Sequence, residues 1–150
     1  MRYSLTDYIL SIKLPTSLSQ ALNLDKDVIE IGGEGSYLDS ITISLNSNLV
    51  ETTADSTGSW IHDFNYAKNG TISISINQVS AKIARFKQIT NIFYNAGEKY
   101  EGLTLTVTNR AQEQIVDAKD CYFQRIPDQN YQNTAQNQTW ILTCGAIYFN

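Results

Sequence analysis

The chain has 150 residues, of which 42% are hydrophobic and 17% are charged, and this is enough apolar sequence to bury a core without disulfides or a structural metal. Its net charge of −4 argues against a dedicated nucleic-acid-binding protein, because such proteins need a basic surface. Ser, Thr, Asn and Gln make up a third of the chain, so we expect polar surfaces rich in hydroxyl and carboxamide groups.

Targeting signals are missing from the sequence as it stands. The N-terminal residues lack the apolar run of a signal peptide, and no segment approaches the roughly 18 apolar residues of a membrane span. We therefore expect a protein made in a cytosol, with no membrane anchor and with Cys121 and Cys144 reduced. The two cysteines fall on separate predicted strands and could be neighbours, and we interpret them as small buried hydrophobic residues.

The first third of the chain alternates apolar and polar residues, which predicts β-strands. The first strand ends at Pro15, which cannot donate a hydrogen bond to a sheet. The polar stretch 16–24 is predicted to be a loop holding one helical turn. The predicted strands in this part are Asp7–Leu14, Val28–Ile31 and Leu38–Leu45.

The middle of the chain begins with a long polar segment, Asn46–Gly58, which we predict to be a loop. Ser59–Tyr66 returns to a strand pattern. Asn69-Gly70 is typical of a type I′ hairpin turn, since both residues tolerate the positive φ values that this turn needs. The strand after it, with isoleucines at every second position, is very regular.

A change of period then predicts one helix over Val79–Asn95. Asn77 or Ser80 can cap its start, and Gly97 stands where helices commonly end in a left-handed residue. No acidic residue occurs between positions 78 and 96. We therefore expect a basic outer face on the helix, formed by Lys82, Arg85 and Lys87.

The last third predicts three strands, Leu103–Thr108, Gln114–Ile126 and Thr139–Phe149, with a second long polar loop at Pro127–Gln138. About eight strands interrupted by one helix favour antiparallel hairpins over parallel βαβ units. The sequence therefore predicts a mainly β fold, an antiparallel β-sandwich or half-open barrel with one helix packed on it. We expect residues 1–150 to form a single domain.

Few residues carry chemistry. His62 and Asp63 are adjacent on a predicted strand and point to opposite faces. Asp117 and Asp120 also have opposite strand parity, so neither pair forms a local dyad. We expect no catalytic site, no cofactor and no metal site, since no nucleophile–base pair or set of four spaced ligands is recognisable.

The glycine-rich segment Gly32-Gly33-Glu34-Gly35 could suggest a phosphate-binding loop. No helix follows it and no Lys-Ser/Thr pair closes it, so a tight turn or bulge is the better interpretation. Glu30, Glu34 and Asp39 around it could bind a cation, but solvated turn acids explain them better.

Small polar residues alternate along several predicted strands, and they form one solvated face of an antiparallel sheet in the simplest interpretation. The same strands are long and nearly free of charge, so their edges could instead pair with another chain. The residues that would face a lumen or a neighbouring subunit are Thr42, Ser44, Thr71, Ser73, Ser75, Thr104 and Thr106.

The order of these elements resembles that of the tail tube proteins of contractile-tailed phages and tailocins, which share a fold with the tube protein of type VI secretion. The resemblance is carried by Ile31–Ser36 leading into Leu38–Ile41, and by the Gln78-Val79-Ser80 step that joins a glycine-led strand to the helix. Ala54-Asp55 and Gly58-Ser59 also match, although Asp55–Ser59 replaces the family's compact Asp-Gly-Ser turn.

The resemblance implies a homohexameric ring in which strands of six subunits form an inner barrel with the helix outside. Stacked rings would form a tube that DNA passes through without tight binding, in a virion tail assembled in the bacterial cytoplasm beside sheath and baseplate proteins. The segment implied to reach the neighbouring ring comprises Asn46, Ser47, Asn48, Leu49, Val50, Glu51, Thr52, Thr53, Ala54, Asp55, Ser56, Thr57 and Gly58.

Two alternatives stay open. A baseplate tube initiator or a tail-end cap would share the same fold. A non-catalytic carbohydrate-binding β-sandwich could use Trp60, Trp140 and the tyrosines as aromatic platforms.

Overall fold

The computed structural model describes residues 2–33 and 35–150. Within them the chain forms nine strands, two α-helices and two short 3-10 turns at Leu5–Asp7 and Gly97–Lys99. The strands are β1 (Ile9–Lys13), β2 (Val28–Gly32), β3 (Leu38–Leu45), β4 (Val50–Ala54), β5 (Trp60–Phe64), β6 (Gly70–Asn77), β7 (Leu103–Thr108), β8 (Gln114–Phe123) and β9 (Asn137–Phe149), and the helices are α1 (Thr16–Ala21) and α2 (Lys82–Ala96).

Seven strands form one antiparallel sheet in the order β2-β1-β7-β8-β9-β6-β3. The sheet curls into a half-barrel. An apolar cleft of about 260 Å³, lined by residues such as Ile41 of β3 and Val107 of β7, lies where the two halves of the sheet approach each other. The predicted fold, mainly β with one principal helix, is confirmed.

Period-two alternation places the core on one face of this sheet. In β6, Ile72, Ile74 and Ile76 are fully buried, while the residues between them are half-buried. Burying one isoleucine side chain contributes about 1.5–3 kcal/mol, so this strand alone anchors the sheet strongly. Apolar residues of β1, β7, β8 and β9 join the same cluster.

Helix α2 covers part of that apolar face. Phe86 is fully buried, and its ring lies 5.2 Å from that of Phe123 and 5.5 Å from that of Trp140. The helix begins three residues later than predicted, because Asn77 and Ser80 first form a turn in which Asn77 Oδ1 accepts from the Val79 amide. Ser80 Oγ then accepts from the Lys82 amide at 3.3 Å.

The prediction of a left-handed helix end at Gly97 was wrong. Gly97 has φ −57° and ψ −30°, and the chain continues directly into the 3-10 turn Gly97–Lys99. The Tyr100 amide closes this turn by donating to the Gly97 carbonyl at 3.4 Å, and no left-handed residue is needed.

The predicted hairpin turn at Asn69-Gly70 was also wrong. Strand β6 pairs with β3 and β9, whereas β5 pairs with β4. Gly70 is instead required by close packing, since a Cβ there would lie 2.2 Å from the Ser44 carbonyl oxygen and 2.9 Å from Ile147 Cδ1.

The segment Asn46–Gly58 is not an irregular loop. Its central residues, Val50–Ala54, form β4, which pairs with β5 in a separate two-stranded sheet. We call residues 49–66 the hairpin. Every residue of both strands is exposed, so neither strand has a buried face, and the sequence of β4 therefore lacks the apolar alternation that reveals strands elsewhere in the chain.

The second long polar loop is confirmed, although β9 begins at Asn137 and includes the last two residues that we assigned to the loop. A chain of hydrogen bonds attaches the loop to the core. The indole N–H of Trp140 donates to Gln138 Oε1 at 3.2 Å, and Gln138 Nε2 donates to Gln129 Oε1 at 3.1 Å. Gln138 is only 6% exposed.

Candidate assembly surfaces

The predicted polar face lies on the side of the sheet opposite the core. Thr42 pairs with Ser73 and Ser44 pairs with Thr71 across β3 and β6, and Ser75 pairs with Thr139 of β9. Within the ranges of β3, β6 and β9, Asp39 is the one charged residue. The structure thus brings five of the seven predicted residues together on a nearly uncharged surface.

Thr104 and Thr106 lie on the same face of the sheet but in β7, with β8 and β9 between them and β6. Each pairs with a charged residue: Thr104 pairs with Lys13, and Thr106 pairs with Asp117. The polar face therefore has two parts, a hydroxyl-rich part on β3, β6 and β9 and a charged part on β1, β7 and β8. Sequence reasoning missed Thr139 and Thr143 of β9, although their alternation with buried residues was visible.

The strand order leaves β2 and β3 as the two edges of the large sheet. Edge strands present unpaired backbone N–H and C=O groups, which can pair with another chain. β3 is eight residues long and carries no lysine or proline that would discourage pairing. β2 is shorter and ends at Gly32, whose missing Cβ allows the carbonyl oxygen of Tyr8 to approach.

The hairpin has two different faces. Side chains of directly opposite residues share a face, so Val50 with Phe64 and Ala54 with Trp60 form an apolar face. Trp60 is 66% exposed and Phe64 56% exposed, and the Phe64 ring stacks on Tyr66 at 6.1 Å. Sequence reasoning assigned Trp60 only to the carbohydrate-binding alternative and missed this face, because the pairing of β4 with β5 was not predicted.

The opposite face of the hairpin is acidic. Glu51 lies directly across from Asp63, and Thr53 lies across from Ile61. Like charges directly opposite one another destabilise a strand pair. The side chain of Asn48 donates to Glu51 Oε1 at 2.8 Å, which satisfies one carboxylate oxygen but does not neutralise its charge.

The tip of the hairpin is held by Asp55. One carboxylate oxygen accepts from the Thr57 hydroxyl at 2.7 Å, the Thr57 amide at 2.9 Å and the Ser59 amide at 3.0 Å. These bonds, with the one from the Thr57 hydroxyl foremost, lower the pKa of the Asp55 carboxyl. Gly58, with φ +89°, provides the left-handed residue that the turn needs.

The three predicted basic residues of α2 do not all point the same way. Lys82 and Arg85 are three positions apart and lie on neighbouring sides of the helix. Lys87 lies about 160° around the helix from Arg85, given 3.6 residues per turn. Arg85 is exposed and donates to Gln88 Oε1 at 3.1 Å, and the other two are half-buried.

The residues considered for chemistry lie in two places, the exposed hairpin and the core. The His62 ring bonds to Thr52 at 2.9 Å on the exposed hairpin, with Asp63 on the opposite face. Cys121 and Cys144 are neighbours, directly opposite across β8 and β9, and both are buried and free. Their mutual hydrogen bond and burial raise the pKa of the Cys121 thiol, so it is an unreactive core residue.

The structure also bears on cation binding near the glycine-rich turn and on the carbohydrate-binding alternative. Glu34, one of the three acids considered as cation ligands, lies outside the described residues. Among residues 2–33 and 35–150, no three His, Cys, Asp or Glu side chains are grouped closely enough to hold a metal ion.

Trp140 is fully buried, so it cannot form the aromatic platform of the carbohydrate-binding alternative.

Comparison with known proteins decides the family. The model of the Bacteriophage PhiTE tail tube protein family matches residues 3–149. The chain belongs to this family. The match spans the large sheet, the hairpin and α2, and it confirms the resemblance found in the sequence. No curated protein matches the chain.

Solved structures share the fold at low identity. A subunit of the sheath-tube complex of the PVC extracellular contractile injection system, in its extended state, aligns with a TM-score of 0.53 at 15% identity, covering 100% of this chain and 92% of that one. A chain of the PVC sheath/tube terminator gives 0.54 at 14% identity, covering 100% and 97%. A chain of the anti-feeding prophage baseplate gives 0.55 at 8% identity, covering 100% and 96%.

Membership of this family makes the chain a component of a virion tail, with the fold of a tail tube protein. Among the described residues, no helix combines the length and apolarity needed to cross a membrane.

Proposed function

We propose that residues 1–150 act as one tube-like domain that assembles into hexameric rings, and that the rings stack into the inner tail tube through which DNA is delivered. The observation that carries this proposal is the family match over residues 3–149. The chain has no catalytic role in it. Its partners are further copies of itself, together with the sheath and baseplate proteins of a tail assembled in the host cytoplasm.

The two open sheet edges support ring formation. An antiparallel or parallel pairing of β3 from one copy with β2 of the next would satisfy backbone groups on both edges. Such a contact joins two different surfaces, and a contact of this kind closes into a ring when its rotation allows. The number six follows the sequence resemblance.

The hydroxyl-rich part of the polar face supports DNA passage. Strands β3, β6 and β9 contain no lysine or arginine, so a lumen lined by them would make no ion pairs with phosphate groups. Because tight DNA binding depends on such pairs, DNA would move past this surface without being held.

Electron microscopy of the purified protein tests the proposal. We expect six-fold rings, and stacked tubes at higher concentration. A Thr42→Pro variant in the edge strand β3 is the comparison. We expect it to form fewer rings, because proline cannot donate a hydrogen bond to a neighbouring strand. Protein that stays strictly monomeric at high concentration, in the absence and in the presence of tail partners, would contradict the proposed function.

A tube initiator or terminal cap is the second candidate, favoured by the similarity to terminator and baseplate chains. The same images separate the two roles. A tube subunit forms stacks of many rings on its own, whereas an initiator or cap stops at one ring or at the end of a tube made by another protein.

A further inference from the structure

Strand β6 separates two features of opposite charge. The hairpin leaves the large sheet where Leu45 pairs with Gly70, at the start of β6. Helix α2 begins five residues after Asn77, at the end of the same strand. An eight-residue strand spans about 24 Å, so the hairpin and the start of α2 lie at opposite ends of the sheet.

The hairpin end is acidic. Residues 46–66 contain Glu51, Asp55 and Asp63 and no lysine or arginine. The Asp55 carboxylate bonds within its own turn, whereas Glu51 and Asp63 lie directly opposite each other across the strands. A cation supplied from outside the chain would relieve this repulsion.

The helix end is basic. Lys82 and Arg85 occupy the first turns of α2, and residues 78–96 contain no acidic side chain. In the part of the chain that the structure describes, the Arg85 guanidinium donates to the Gln88 carboxamide alone. Val79, which is 55% exposed, lies just before these cations, so the surface combines two positive charges with an apolar contact.

We propose that the hairpin of one copy docks on the start of α2 of the next copy, with Glu51 and Asp63 facing Lys82 and Arg85. This inference rests on the proposed self-assembly and names the two surfaces that meet when rings stack. Ile61 lies on the same face of the hairpin as Glu51 and Asp63 and is 64% exposed, so it supplies apolar area that becomes buried beside the charges. Because the two surfaces differ and lie at opposite ends, each docked copy leaves a free hairpin at one end and a free helix at the other, which extends the stack.

A charge-swap experiment tests this contact. E51K/D63K and K82E/R85E each place like charges together, and we expect the protein concentration needed for stacking to rise about tenfold or more in either variant. The variant that combines all four substitutions restores opposite charges and should stack at close to the wild-type concentration. Lys87→Glu is the matched control, since it changes the same charge on the far side of the same helix.

The outcomes separate the two proposals. If the charge-reversed variants all stack as well as the wild type, the docking contact is overturned and the tube function still stands. A wild-type protein that forms neither rings nor stacks would overturn both.

A measurement on the unaltered protein guards against misfolded variants. Carbodiimide joins an amine to a carboxylate that is in direct contact with it. In wild-type stacks it should link Lys82 of one copy to Glu51 or Asp63 of another, as read by mass spectrometry of the digested product. Stacks in which Lys82 forms links only to other carboxylates would also overturn the contact.

Discussion

Gly70 is a position where the sheet accepts no side chain. A Cβ there would meet the Ser44 carbonyl oxygen at 2.2 Å and Ile147 Cδ1 at 2.9 Å, and one of these is backbone that cannot turn aside. We expect Gly70→Ala to lower the free energy of unfolding by about 1–3 kcal/mol, as overpacked sites do, in a urea titration followed by circular dichroism.

Gly97→Ala is the matched control for that experiment. A Cβ at Gly97 would lie 3.5 Å from the Phe93 ring, an ordinary contact, and the residue already has helical φ and ψ. We expect this substitution to raise the free energy of unfolding by about 0.4–1 kcal/mol, since alanine loses less chain entropy on folding. Equal losses at both positions would show that close packing is not what Gly70 provides.

Gln138 joins the long polar loop to the core. It is buried, and its Oε1 accepts from the indole N–H of Trp140. Gln138→Met keeps the size but leaves that N–H without a partner, so we expect a loss of about 1–3 kcal/mol in thermal unfolding. Gln88→Met on the exposed side of α2 should change stability by less than about 0.5 kcal/mol, and a similar loss in both would refute the role of the buried bond.

At the scale of the element, the hairpin tip responds to pH through Asp55. Its hydrogen bonds to Thr57 and Ser59 lower the pKa of the Asp55 carboxyl in the folded state. The stabilisation of the turn is therefore fully present above the ordinary pKa of aspartate and is lost as the pH falls through the lowered value. We expect the Thr57 and Ser59 amide resonances to shift together in an NMR titration over that acidic range.

The Asp55→Asn variant checks the assignment. Its carboxamide oxygen can accept the same bonds but does not titrate, so the two amide resonances should become insensitive over that pH range. If they shift as in the wild type, a different group controls the turn.

Sequence patterns predicted those elements that bury one face. Ile72, Ile74 and Ile76 revealed β6 because their alternation reflects a core on one side, and the spacing of Ile83, Phe86 and Ile89 revealed α2 in the same way. β4 was hidden because it buries neither face. Asn69-Gly70 misled for a related reason: the dipeptide favours a turn locally, but Gly70 is selected by contacts with β3 and β9 that are distant in sequence.

At the scale of the whole molecule, the hairpin is separable from the fold. It forms its own sheet, and every residue of its strands is exposed. We expect replacement of residues 48–65 by a short Gly-Ser linker to leave the thermal unfolding midpoint within a few degrees of the wild type, since little apolar area is lost from the core. Removing residues 47–57 alone is a poorer test, because it leaves β5 without its partner.

The same replacement should abolish stacking while rings persist. Size-exclusion chromatography and negative-stain images measure both on one sample. A shortened protein that unfolds far below the wild type would contradict the separable hairpin, and one that still forms tubes would remove the hairpin from the stacking contact.

The overall architecture was only partly accessible from the sequence. Hydrophobic alternation predicted an antiparallel β-sandwich or half-open barrel with one helix, but not that β1 lies beside β7 or that β9 lies between β8 and β6. Those neighbours depend on contacts between residues up to about a hundred positions apart, as in the bond from Thr108 to the carbonyl of Ile9. The predicted polar residues share the face of the sheet opposite the core, yet their division into an uncharged part and a charged part followed from strand order alone.

The positions of the two tryptophans give the protein a built-in optical reporter. Trp140 is fully buried in the aromatic cluster, whereas Trp60 is 66% exposed on the hairpin. Indole emission moves to shorter wavelength when water is excluded, so wild-type fluorescence should shift to the blue when assembly covers the apolar face of the hairpin, and a Trp60→Phe variant should show no such shift. One unlabelled sample in a cuvette could then follow hairpin burial through Trp60 and core integrity through Trp140, in real time.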